Sequence, residues 1–289
     1  MRKIFSTKTL VIFFTVVLLA QVFQDIYLYT LPAHDTNANF WINLYGSTSI
    51  FIAILGFLTV YLGREKKTTL SRSVAWLSWG ALLNGLGLFY WLYNNLHNNI
   101  TVPYPSLGEY LFLSFPLLMY VGSWLLLDIY RPLIKTRLIL EAAVIFLVSA
   151  ALIFHYFIIP NLGGVESIFG KIVTVSIPAE DAITLAFAYI ILRVSGGKMH
   201  TYLWLFVINL IILTIADFTF QYRDAVGIYW NGDIADLLYM INMYFYALAI
   251  IYMIDNSTTA QQGIANSLPP TPAAPTPAVT APQEPAPTA

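Results

Sequence analysis

The sequence predicts an all-α integral membrane protein: an eight-helix transmembrane bundle built from helical hairpins, with both termini cytoplasmic and a disordered, Pro-rich C-terminal tail. Three observations lead there. The 289 residues are 58% hydrophobic and only 10% charged, whereas soluble domains carry about a quarter charged residues. Apolar stretches of about 20 residues, long enough to cross a hydrocarbon core as a helix, recur eight times. Twelve of the fourteen lysines and arginines fall in alternate gaps between those stretches.

The eight segments run from Leu10 to Thr30, Phe40 to Leu62, Val74 to Tyr93, Leu107 to Leu127, Leu138 to Ile159, Ile172 to Leu192, Tyr202 to Tyr222 and Ile234 to Ile254. The third and sixth have the least sharp boundaries. Basic residues of short loops stay on the cytoplasmic side. Arg2, Lys3 and Lys8 precede the first segment; Arg64, Lys66, Lys67 and Arg72 follow the second; Arg131, Lys135 and Arg137 follow the fourth; Arg193 and Lys198 follow the sixth. The opposite loops hold only Lys171 and Arg223. An even helix count then returns the carboxyl terminus to the cytoplasm. The first segment reads as retained rather than as a cleaved signal peptide, because its apolar run is long and no small-x-small site follows it. Its removal would leave seven helices in the same orientation.

Residues 1–255 therefore make one membrane domain and 256–289 a tail. The tail holds eight of the fifteen prolines, and from Ser257 onward a single charge, Glu284. It cannot bury enough apolar surface to fold and reads as extended and disordered. Pro269, Pro270, Pro272 and Pro275 loosely match a proline-groove ligand, although a passive spacer explains the composition as well. Asn99-Ile100-Thr101 is a glycosylation sequon on the outer side. Trp41, Trp76, Trp91, Trp204 and Trp230 lie near segment ends, where an indole can anchor among head groups.

A net charge of -1 offers no basic field for nucleic acid. The absence of cysteine excludes disulfides, thiolate metal sites and cysteine nucleophiles. No lysine falls within an expected span, so a retinal Schiff base has no amine. His155 and His200 lie at opposite faces and cannot ligate one haem. There is no His-Glu-x-x-His zinc motif and no phosphate-cradling glycine loop. Gly232-Asp233 is too short to signal an intramembrane aspartyl protease, and Ser123 beside Gly122 reads as packing. No cofactor, metal or catalytic set is expected.

Segments four, six and eight open alike at the outer face: Pro105-Ser106-Leu107-Gly108-Glu109, Ser176-Ile177-Pro178-Ala179-Glu180-Asp181 and Gly232-Asp233-Ile234-Ala235-Asp236. Ser106 with Glu109, and Asp233 with Asp236, have capping-box spacing, and a carboxylate there complements the helix dipole. The recurrence suggests a repeated hairpin of segments three and four, five and six, seven and eight, with small residues allowing close contacts.

The run Val102-Pro103-Tyr104-Pro105-Ser106-Leu107-Gly108-Glu109-Tyr110-Leu111-Phe112-Leu113-Ser114-Phe115-Pro116-Leu117-Leu118 resembles a segment of the multi-helix membrane sensor regions that precede diguanylate cyclase and histidine kinase domains in bacteria. The likeness extends to Ala179 to Tyr189, to Asp217, and to Ala235-Asp236-Leu237-Leu238-Tyr239, covering segments three to eight. Glu109 stands where that family would have Asp. These 289 residues contain no cyclase or kinase domain, so the resemblance implies neither activity.

Charged side chains within a bilayer cost about 3 kcal/mol each on insertion scales, which makes each a functional candidate. Asp25, Glu109, His155, Asp181, Asp217 and Asp236 all fall in the outer half of their segments. Glu141 alone lies toward the cytoplasmic side, with Arg137 one turn earlier as its partner. The acids either line an outward-facing polar pocket for a cation or small polar ligand, or act as caps and interhelical hydrogen-bond partners. The first reading is a sensory or regulatory membrane module read by a separate cytoplasmic signalling protein. The others are a small cation or proton transporter, and a scaffold subunit packing against other membrane proteins. The bilayer is the one partner required in every case.

Overall fold

The computed structural model describes residues 6–32, 34, 37–62, 68–98, 106–159, 168–194 and 200–256. The sequon, residues 102–105 of the sensor-like run, the tail from 257 on, and Arg2, Lys3, Arg64, Lys66, Lys67 and Lys198 lie outside the described residues. Eight long helices carry the fold: α1 (Thr7–Tyr29), α2 (Gly46–Leu62), α3 (Thr69–Asn98), α4 (Leu107–Ile129), α5 (Thr136–Ile153), α6 (Ile168–Val194), α7 (Thr201–Ala225) and α8 (Ile234–Asn256). A helical turn (Asn37–Phe40) and a 3-10 stretch (Trp41–Tyr45) lead into α2, and a π-helical stretch (Phe154–Ile158) extends α5. No strand occurs among the described residues.

Among the described residues, seven helices are long and apolar enough to cross a membrane: α1, α2 with its lead-in, and α4 to α8. This is the build of a multi-pass helical membrane protein. The exception is α3, which occupies the expected third segment and is 30 residues long, but carries Arg72, Ser73, Ser78, Asn84 and Asn95 in its length. Its polar groups turn toward neighbouring helices: Ser73 Oγ donates to the Gly122 carbonyl at 2.7 Å, and Asn84 Nδ2 to Ser49 Oγ at 3.0 Å. Burial ranks the helices. Over its most apolar window α8 is 56% buried, against 17% for α1 and α5. Thus α8 is central, while α1 and α5 present Phe23, Ile26, Leu140 and Leu147 outward, as a lipid-facing surface requires.

Contacts fix the alternation of direction. Tyr130 at the end of α4 hydrogen-bonds Tyr202 at the start of α7 at 2.7 Å. Glu141 near the start of α5 accepts from Tyr189 near the end of α6 at 2.6 Å. Arg137 donates to the same carboxylate at 2.8 Å, as its spacing suggested, and Arg193 lies 3.7 Å away. We call this the basic end of the bundle. The opposite, acidic end is where α4 and α8 begin and α7 finishes.

Two helix starts depart from the sequence reading. Segment six does not begin near Ser176: α6 starts at Ile168, so Lys171 sits in its exposed first turn and Pro178 lies inside the helix. Proline removes one backbone donor, but a helix packed among others tolerates it. Glu180 and Asp181 consequently lie near mid-helix rather than at a cap. In α8 the carboxylate of Asp236 accepts from the Gly232 N–H at 2.8 Å, not from Asp233, while Asp233 Oδ2 takes Arg223 Nε at 2.5 Å. Gly232 has φ 96° and a Cβ there would meet Leu28 at 2.7 Å, so both backbone and space demand glycine. Only α4 has the expected box: Gly108 N–H donates to Ser106 Oγ at 3.1 Å, and Ser106 donates through both its N–H and its hydroxyl to Glu109.

The packed core fills the basic half. Tyr202, Phe206, Leu210, Tyr246 and Ile250 meet Leu77, Met119 and Leu126 with almost no exposed surface. Tyr246 donates to the Leu77 carbonyl at 2.9 Å, and Asn242 to Asn209 Oδ1 at 2.7 Å. Each such bond satisfies a polar group that lipid could not.

Candidate functional site

Toward the acidic end the helices enclose a cavity of about 110 Å³. It is lined from Tyr45 before α2, Asn84, Leu88 and Trp91 of α3, and Phe112, Phe115 and Pro116 of α4. Further lining comes from Ile177, Glu180, Asp181 and Thr184 of α6, Leu213, Asp217 and Phe220 of α7, Tyr229 of the α7–α8 loop, and Asp236, Tyr239 and Met243 of α8. Helices α1 and α5 contribute nothing. The lining includes four carboxyl groups and, among the described residues, no Lys, Arg or His.

The acids differ in how they are held. Tyr239 donates its hydroxyl to Asp217 Oδ1 at 2.6 Å. Asp236, besides its bond from Gly232, receives the Tyr229 hydroxyl at 3.2 Å. Burial and the adjacent Asp236 carboxylate push the loop phenol of Tyr229 well above its ordinary range, so it remains a donor. Asp181 faces Asp217 across the α6–α7 interface. It is 2% exposed, and its Oδ2 has no hydrogen-bond partner among the described residues. A carboxyl pair in so enclosed a place needs a shared proton or a cation. Asp181 lines the cavity, beside Thr184 and Asp217.

The other walls are aromatic. Trp91 and Phe112 meet edge to face at 5.2 Å, as do Phe220 and Tyr229 at 4.8 Å. Trp91 Nε1 donates to Ser106 Oγ at 3.4 Å, so this indole closes the cavity instead of reaching head groups. Trp230 also departs from the anchor reading: it is 9% exposed and stacks on His34 at 3.9 Å. Trp41, Trp76 and Trp204 remain exposed.

Of the six residues singled out by sequence, Asp181, Asp217 and Asp236 line the cavity. Asp25, Glu109 and His155 do not. Glu109 is consumed by the α4 capping box. Asp25 is buried within electrostatic range of Asp233, outside the lining. His155 lies exposed in the π-helical stretch against Tyr156. Sequence reading missed Glu180, Asn84, Thr184 and three tyrosines. Glu180 adjoins Asp181, and Tyr239 follows Asp236 by three residues, one helical face apart; Tyr45 and Tyr229 gave no local signal. Among the described residues no group of three or more His, Cys, Asp or Glu is placed to hold a metal ion. No protein-family model, curated protein or solved structure matches the chain.

Proposed function

We propose that the chain is a membrane sensory or regulatory module whose acid-lined cavity takes a small cation-bearing or polar ligand. In this reading all eight helices cross the cell membrane, α3 included, shielded by its neighbours, and the basic end faces the cytoplasm with both termini. The cavity then opens its half of the bundle to the outside. Occupancy would alter the packing of α6, α7 and α8, and a separate cytoplasmic partner would read the change at the basic end. The likeness of the segment from Ser106 to Leu118 to membrane sensor regions points the same way.

One observation carries this reading over the transport alternative: the acids stop halfway. The half beyond the cavity is filled by Phe206, Leu210, Tyr246, Met119 and Leu126, and among the described residues Asp128 and Asp255 stand at the far ends of α4 and α8 rather than in a line continuing from the cavity. Glu141 is there, but on the α5–α6 surface among Arg137, Arg193 and Tyr189. A permeating ion would meet apolar side chains where it most needs ligands. The decisive measurement is flux of protons and monovalent cations in proteoliposomes. We expect no flux above that of protein-free vesicles; flux abolished by Asp217→Asn would establish transport and overturn the sensory reading.

A further inference from the structure

We infer that the cavity is built for a small protonated amine, a monovalent organic cation with N–H donors and a short apolar part. This rests on the cavity being the ligand site proposed above. The occupant's sign follows from the lining, which has four carboxyls and no basic side chain. An anion would be repelled, and a cation, unlike a neutral molecule, settles the Asp181–Asp217 pair without a proton shared between the two carboxyls. The need for a donor follows from Asp181, which lines the cavity and whose Oδ2 has no partner among the described residues. An ammonium hydrogen answers both requirements at once, through a charge-assisted bond.

Other cations fit less well. A divalent metal wants several oxygens converging at short range, yet no such group exists among the described residues. Two of the carboxyls already hold phenol donors, Asp217 from Tyr239 and Asp236 from Tyr229. A quaternary ammonium has charge but no hydrogen to give Asp181. Size and wall chemistry agree with an organic ion: about 110 Å³ accommodates on the order of eight water-sized positions, enough for a short alkylamine. Trp91, Phe112 and Phe115 supply aromatic wall for the charge and apolar contact for its chain.

The test uses the full chain in lipid nanodiscs, with n-butylammonium as the probe, titrated by calorimetry and by tryptophan fluorescence. The comparison compounds are n-butanol, tetramethylammonium, Na⁺ and Mg²⁺. Expected is saturable n-butylammonium binding at one site, weakened about ten-fold or more by Asp181→Asn and left within about two-fold by Glu109→Gln, since Glu109 is engaged in its cap. Equal binding of n-butanol or tetramethylammonium, or equally strong competition by Mg²⁺, would overturn the amine assignment while leaving the cavity as a ligand site. Binding of n-butylammonium that ignores Asp181→Asn, or no binding at all, overturns the amine assignment; the flux measurement judges the sensory reading separately. Should Asp181→Asn fail to fold, Leu213→Phe, which fills the cavity, takes its place with the same expected loss.

Discussion

The two halves of this bundle solve the same problem differently. In the basic half, side chains bond across the helix interfaces: Tyr246 to the Leu77 carbonyl, Tyr130 to Tyr202, Asn242 to Asn209, although Ser123 Oγ, Asn209 Nδ2 and Asn242 Oδ1 have no partner among the described residues. Large side chains close the space around them. In the acidic half the same helices diverge around a cavity and leave Asp181 Oδ2 unmatched. A membrane helix bundle gains little from apolar contact alone, since lipid is as apolar as leucine. A space lined by four carboxyl groups in it is therefore costly, and it is the strongest sign that this half is kept for a ligand and the other for stability.

Substitutions can break that contrast. The largest effect is expected from Tyr246→Ala, which removes a fully buried ring and its hydrogen bond to Leu77 and should cost about 4 kcal/mol. Thermal melting in nanodiscs reads it; a loss no greater than that of Phe220→Ala at the cavity wall would erase the distinction. Next is Arg223→Ala, which strands the Asp233 carboxylate at 0% exposure. A cost of about 2–3 kcal/mol is expected, discounted because Arg223 itself is partly exposed. The double variant with Asp233→Ala should recover most of it, and failure to recover would show that the pair is not what closes the acidic end.

Smaller effects sharpen the contrast further. Ser106→Ala removes the α4 cap and should lower stability by about 1 kcal/mol without changing ligand binding; a binding defect would return Glu109 to the site. Asp181→Asn should alter stability least of these, by under about 1 kcal/mol, because the amide keeps the carboxyl's size and one acceptor oxygen and can donate to Asp217. A melting temperature reduced as far as by Tyr246→Ala would mean that Asp181 is structural, and the cavity reading would fall with it.

Much of the fold was legible in the chain because its causes are local. Apolar length located all eight helices, and the Ser106-x-x-Glu109 spacing located the α4 cap, since capping needs only neighbouring residues. The same logic failed for Pro178: read as the opening of a helix, it lies within one, because surrounding helices supply what its missing N–H gives up. That single displacement moved Glu180 and Asp181 from a cap to mid-helix. His155 lies exposed in the π-helical stretch that extends α5, outside the cavity lining.

Hydropathy and the placement of acids along the segments thus determined that this is a helical membrane bundle with its buried carboxyls biased to one end. Which carboxyls meet was decided by tertiary structure alone. Asp181, Asp217 and Asp236 converge, whereas Asp25, Glu109 and His155, at similar depth, do not. Depth is a property of position along one helix, which the sequence carries. Convergence depends on how far each helix is rotated about its axis against its neighbours, and that is set by the sum of packing contacts from chain segments distant in sequence.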